Sequence, residues 1–145
     1  MSDNYLQPGL PQPAMREGLD LPYWAAAREE KLVCQQCQDC QHWQWGPEFI
    51  CFRCHSHDVA FKEIAATGTI YSFERVWHPV HPALKEQGAY LVVLVELPQC
   101  DSARMVGNLL GDPHQEVEIG AEVRGVFEHH DDGEPPYTLV QWEVV

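Results

Sequence analysis

Basic residues are scarce: 9 Lys and Arg stand against 22 Asp and Glu, for a formal net charge of -13. Binding a polyanion releases counterions only where Lys and Arg meet phosphates, so this balance argues against a nucleic-acid binder. Long apolar runs are missing as well. The longest, Ala89 to Val95, is seven residues, far below the ~18 to 20 that span a bilayer. Met1 to Pro13 has no basic stretch followed by an apolar one, so no signal peptide is read there. A cytoplasmic protein without a membrane segment is expected. Gly-rich phosphate loops and a Ser nucleophile elbow are absent too. No paired acid and base or activated nucleophile appears, which speaks against chemistry by this chain alone.

What is present is the balance of a globular chain. Hydrophobic residues make up 45% and charged ones 21% of 145 positions, enough for one domain, or one domain with a small appended module. The acid is uneven: Asp112 to Glu134 holds eight carboxylates and one base, Arg124. The plain reading is a solvated acidic face, and a docking surface for a basic partner is the alternative.

Five of the six cysteines, Cys34, Cys37, Cys40, Cys51 and Cys54, crowd into 21 positions, while Cys100 stands alone. In a chain without a secretion signal such a cluster is better read as metal ligands than as disulfides. Cys37-x-x-Cys40 and Cys51-x-x-Cys54 are separated by ten residues, room for a hairpin that brings both pairs to one point. Four thiolates make a closed tetrahedral zinc site, which is structural because it leaves no position for water or substrate. Rubredoxin-type iron uses the same four sulfurs, and spacing does not separate the two metals. Cys34 either replaces Cys37 as a ligand or, alternating with Leu32 and Gln36, points from a strand into a small core. His42, His55 and His57 flank the site as further candidates, or as exposed loop residues.

Along the chain, Met1 to Leu21 is a proline-rich arm without a core of its own. Pro22 to Lys31 reads as a short helix with Asp20 as its cap, so residues 1-31 form the arm and helix. Residues 32-60 form the zinc ribbon, where no helical period is seen. Residues 61-145 carry strand patterns of period two at Thr69 to Val76, Ala89 to Leu97, Ala103 to Leu110, Glu122 to His129 and Thr138 to Val144. Five short strands without a covering helix favour a closed barrel, with an OB-like barrel first and a small sandwich second. The predicted fold class is mainly β: an N-terminal helix, a zinc ribbon and a five-stranded OB-fold barrel.

Leu32-Val-Cys34-Gln-Gln-Cys37-Gln-Asp-Cys40, Pro47, Cys51-Phe-Arg-Cys54-His-Ser56 and Gly68-Thr-Ile-Tyr-Ser-Phe73 together resemble the DUF35 family of zinc-ribbon plus OB-fold proteins. Ala89-Tyr90 leading to Val95-Glu-Leu97, and Ile119-Gly-Ala-Glu-Val123, extend the likeness to about Pro22 to Val144. The resemblance implies a non-catalytic accessory subunit in a hetero-oligomer. Its expected partner is a thiolase-like enzyme, a thiolase or retro-aldolase acting on acyl-CoA in steroid or lipid side-chain metabolism. A hot-dog-fold (MaoC-like) enoyl-CoA hydratase is the alternative. Gln41 and His55 stand where the family usually has Gly, Phe52 where it has Pro and Glu48 where it has Arg. Any phosphate contact made by a base at position 48 is therefore lost.

Other groups carry weaker signals. His78 and His81 follow a strand three residues apart and read as a proline-stiffened loop. Cys100 has no neighbouring base in sequence. Tyr71, Phe73 and Trp77 fall on one strand face, as in single-strand nucleic-acid OB modules, but the charge opposes that use. Aromatics beyond what a small barrel can bury point to an interface. Tyr23, Trp24, Trp43, Trp45 and Trp77 are the candidate partner contacts. For Tyr23 and Trp24 the competing reading is packing on their own ribbon.

Overall fold

The computed structural model describes residues 10–15 and 18–145; residues 1–9, 16 and 17 of the proline-rich arm lie outside them. Helix α1 spans Leu21–Arg28, with Pro22 in its first turn and Ala27 fully buried. Asp20 occupies the cap position without capping. Its carboxylate accepts from the Trp24 indole Nε1 at 2.9 Å instead. The helix stops three residues short of the expected Lys31 because Glu30 turns to φ +58°. Lys31 N then donates to Ala26 O and Glu30 N to Ala27 O, both at 3.0 Å, the paired bonds that close a helix end through a left-handed residue.

The chain next forms an antiparallel three-stranded ribbon of β1 (Leu32–Cys37), β2 (Trp43–Gln44) and β3 (Val59–Ile64), ordered β2-β1-β3. Every residue of β1 is buried. The pattern of the sequence did not predict β3, which runs through residues 60 and 61 while pairing along its full length with β1. Ala65 and Ala66 alone separate it from the next strand.

Five strands follow: β4 (Thr67–Val76), β5 (Tyr90–Leu97), β6 (Ala103–Asn108), β7 (Glu122–His130) and β8 (Tyr137–Val144), ordered β6-β5-β4-β7-β8 and antiparallel throughout. They match the five expected segments. Alternation on β5 sends Leu91, Val93, Val95 and Leu97 inward, as a half-buried strand requires. The sheet curls until β6 meets β8, where Leu109 and Trp142 form a parallel bridge and Leu110 N donates to Trp142 O at 2.7 Å. This nearly closed OB-like barrel leaves little open edge. Ala27 of α1 and Leu32 and Cys34 of β1 share one core with Ile70, Val95 and Trp142 of the barrel. The end of α1 is pinned to the β7–β8 hairpin by Arg28 Nη1 to Asp131 Oδ1 at 2.7 Å and His129 Nε2 to Glu30 Oε1 at 2.9 Å. No helix among the described residues is long and apolar enough to cross a membrane.

Candidate metal centre

The two Cys-x-x-Cys steps form matching knuckles. Cys37 N donates to His42 O at 2.9 Å and Cys51 N to Ser56 O at 2.8 Å, so each loop closes five residues after its first cysteine. Backbone amides also point at sulfur, Cys40 N to Cys37 Sγ at 3.5 Å and Arg53 N to Cys51 Sγ at 3.4 Å. Amide donors favour the thiolate; those of Cys54 and then Arg53 hold the Cys51 thiol down to about 7, against the opposing effect of burial. Asp39 of one knuckle accepts from Ser56 Oγ of the other.

The four Sγ atoms of Cys37, Cys40, Cys51 and Cys54 lie within 4.8 Å of one another, with Cys37 to Cys54 and Cys40 to Cys51 both at 3.6 Å. A tetrahedron with metal–sulfur bonds of ~2.3 Å has edges of roughly 3.8 Å, so the donor set fits zinc. Bound there, zinc would supply a structural crosslink. Cys34 is not in the cluster. It is buried on β1, donates to Gln44 O at 3.2 Å, and takes the core role. Nor do the histidines join it: His55 and His57 are exposed, and His42 packs edge-on against Phe52, ring centroids 4.8 Å apart.

Sequence reasoning missed the glutamines that shape this site. Gln35 and Gln44 are 4% and 3% exposed, and Gln44 Nε2 donates to Gln35 Oε1 at 2.6 Å. Gln35 also exchanges bonds with Glu48 N and O, while Gln44 accepts from Phe52 N and donates to Ile50 O. These amides do for residues 48–52 what a strand partner would do, and so hold the second knuckle. Glutamine carries no periodic signal; only its density between positions 35 and 44 could have marked it.

The ribbon is bolted to the barrel beside the knuckle. Asp101, at φ +52° on the β5–β6 turn, accepts from Trp43 N at 3.0 Å, and its carboxylate lies 3.0 Å from His42 Nδ1. Next to it Cys100 is fully buried, and the interaction of its thiol with that of Cys34 lowers the Cys34 pKa and raises that of Cys100.

The candidate partner aromatics divide. Tyr23, Trp43 and Trp45 pack on the core of their own chain. Tyr23 meets Trp24 and Trp45 edge-on, at 5.1 and 5.6 Å, and burial pushes its phenol up to about 12. A cavity of about 170 Å³ between α1 and the ribbon is lined by Tyr23, Trp24, Trp45 and Phe61. Trp77 is 56% exposed. The ribbon tip also presents Phe49 at 72% and Phe52 at 62%, which the sequence reading did not single out. His81 Nδ1 accepts from Ala83 N at 3.2 Å and so caps a short 3-10 turn.

Comparison with known proteins agrees with this geometry. Residues 24–60 match the ChsH2 rubredoxin-like zinc ribbon domain, and residues 61–128 the ChsH2 C-terminal OB-fold domain. A solved structure described as the Ltp2-ChsH2(DUF35) aldolase contains a chain 32% identical, with a TM-score of 0.74 over 92% of this chain and 98% of that one. A probable enoyl-CoA hydratase alpha subunit of Thermomonospora curvata is 38% identical over 78% of this chain, which spans only 34% of that protein's length. A DUF35 domain-containing scaffold protein of Methanocaldococcus jannaschii is 26% identical, over 82% of this chain and 86% of its own. A Sulfolobus solfataricus protein of the DUF35 family, 12% identical at a TM-score of 0.62 over 92% of this chain and 90% of that one, shares the fold. With both modules matched in order and a 32%-identical relative covered nearly end to end, this chain belongs to the DUF35 family of zinc-ribbon and OB-fold proteins.

Proposed function

We propose that this chain is a non-catalytic accessory subunit that docks on a thiolase-like enzyme acting on acyl-CoA and supports assembly of the complex. The observation that carries the reading is the ribbon tip. A four-thiolate site has no open position for substrate, yet beside it a loop tied by Gln35 and Gln44 offers Phe49 and Phe52 to solvent. Large exposed apolar side chains on a fixed scaffold are what an interface uses. Trp77 and the outer faces of Tyr23, Trp24, Trp43 and Trp45 are proposed as further contacts. The likeness to the ChsH2 chain of an aldolase supports a thiolase-like partner in a hetero-oligomer. Likeness to a hydratase alpha subunit favours a second reading, a hot-dog-fold (MaoC-like) hydratase as partner.

Coexpression of the tagged chain with thiolase-like enzymes and with MaoC-like hydratases of the same genome, followed by size-exclusion chromatography, tests both. A stable complex with a thiolase-like enzyme is expected, weakened at least tenfold by Phe49→Asp with Phe52→Asp at unchanged zinc content. A complex formed only with a hydratase selects the second reading, and no complex with either class rejects both.

A further inference from the structure

The loop of residues 112–121 leaves a groove along β4. β4 pairs with β7 only from Thr67 to Thr69. At Ile70 the loop takes over, with Gly120 N donating to Ile70 O at 2.7 Å and Ile70 N to Ala121 O at 3.0 Å. Beyond Ile70, among the described residues, no backbone bond joins loop and strand. The far end of the loop is held by Arg75, whose Nε donates to Pro113 O at 2.8 Å and whose Nη2 donates to Gln115 O. Between these two attachments lies a groove of about 730 Å³ lined by Phe73, Arg75, His114, Glu116, Val117 and Glu118. Trp77 stands beside it, tilted on His114 at 5.5 Å and 5.7 Å from the Arg75 guanidinium.

The chemistry of the groove selects its occupant. Its two basic side chains are already engaged, Arg75 on two carbonyls and His114 against the ring of Trp77. Glu116 and Glu118 are exposed and form no ion pair among the described residues, and Asp112 adds a third carboxylate at the loop's start. A phosphate-bearing ligand would be repelled. A guanidinium or ammonium would find the carboxylates of Glu116 and Glu118 and the ring of Phe73 in the groove, with Trp77 at its rim, a combination that attracts cations electrostatically and through the ring faces.

We propose that this groove receives an arginine- or lysine-bearing segment of the partner subunit. The inference rests on the accessory-subunit reading and extends the contact proposed at Trp77 into the groove beside it, on the barrel and away from the ribbon tip. The isolated zinc-loaded chain is titrated with the peptide acetyl-Leu-Arg-Leu-Arg-Leu-Arg-amide and with its Glu counterpart, by calorimetry at two salt concentrations. One saturable site for the Arg peptide is expected, weakened at least tenfold by Glu116→Gln with Glu118→Gln or by Trp77→Ala, and unchanged by Phe49→Asp with Phe52→Asp. Absence of binding, equal binding of the Glu peptide, or binding unchanged in the Gln double variant overturns the proposal. The same double variant in the coexpression assay should weaken the complex at least fivefold, and a complex of normal affinity overturns the groove as partner contact. Peptide binding that follows this pattern, with no enzyme complex from the wild-type chain, rejects the accessory reading instead and leaves the groove as a cation-binding surface.

Discussion

Gln41 and His55 each follow the second cysteine of a knuckle and each sits at φ +63°. The left-handed region costs an ordinary residue roughly 1–2 kcal/mol, a cost partly offset when glycine's greater unfolded-state entropy is counted. Gln41→Gly and His55→Gly should therefore each raise the stability of the zinc-loaded chain by ~0.5–1 kcal/mol, read as an increase in the urea midpoint. A lower midpoint for Gln41→Gly would mean that the Gln41 Nε2 bond to Gln38 O, 2.6 Å, outweighs the strain. At this scale the clustering of Cys37, Cys40, Cys51 and Cys54 was legible because thiolate pairs at fixed spacing have few other uses. The buried Gln35 and Gln44 were not, since an amide that satisfies backbone groups across a loop leaves no spacing rule behind. The apolar ring of Phe52 was noted only as a substitution, and its exposure follows from the path of the loop.

Elements were legible where one face is wet and the other dry. β5 alternates cleanly, and all five barrel strands fall within a few residues of their expected bounds. β3 escaped because Lys62 and Glu63 are adjacent and exposed while Val59, Ala60 and Phe61 are all half-buried, so no period of two appears. α1 was recognised, but its end was not, because a left-handed Glu at position 30 gives no glycine signal. The closure of the barrel depends on a place that no pattern marks: a Cβ at Gly107 would lie 2.6 Å from Trp142 Cδ1 and 2.8 Å from its Nε1. Gly107→Ala must push the buried indole aside at the seam between β6 and β8. It should cost ~1–3 kcal/mol, the usual range for overpacking, and should alter the near-ultraviolet dichroism of Trp142. Unchanged stability and spectrum would show that the seam is looser than its contacts indicate.

At the scale of the whole molecule, the sequence divides into a ribbon and a barrel, but the core does not. Ala27, Leu32 and Cys34 belong to the same apolar cluster as the barrel strands, and Asp101 ties the barrel turn to the first knuckle. Zinc removal should therefore destabilise both modules together. We expect calorimetry to show a single transition with metal and a transition at least 10 °C lower after chelation; the binding energy of structural zinc, an apparent ~10–16 kcal/mol in small fingers, is ample for this. Two separated transitions in the zinc-loaded chain would show that the shared cluster does not couple them. Even the Ala65-Ala66 link is held on both sides, with Gly125 N donating to Ala66 O at 2.7 Å and Gln99 Nε2 to Ala65 O at 2.8 Å. The ribbon tip and the barrel groove thus behave like the jaws of a fixed gauge. An enzyme that touches both must present its own two contact points at a matching span, and a mismatch cannot be absorbed by bending. Discrimination between partners then becomes a matter of length as well as of chemistry.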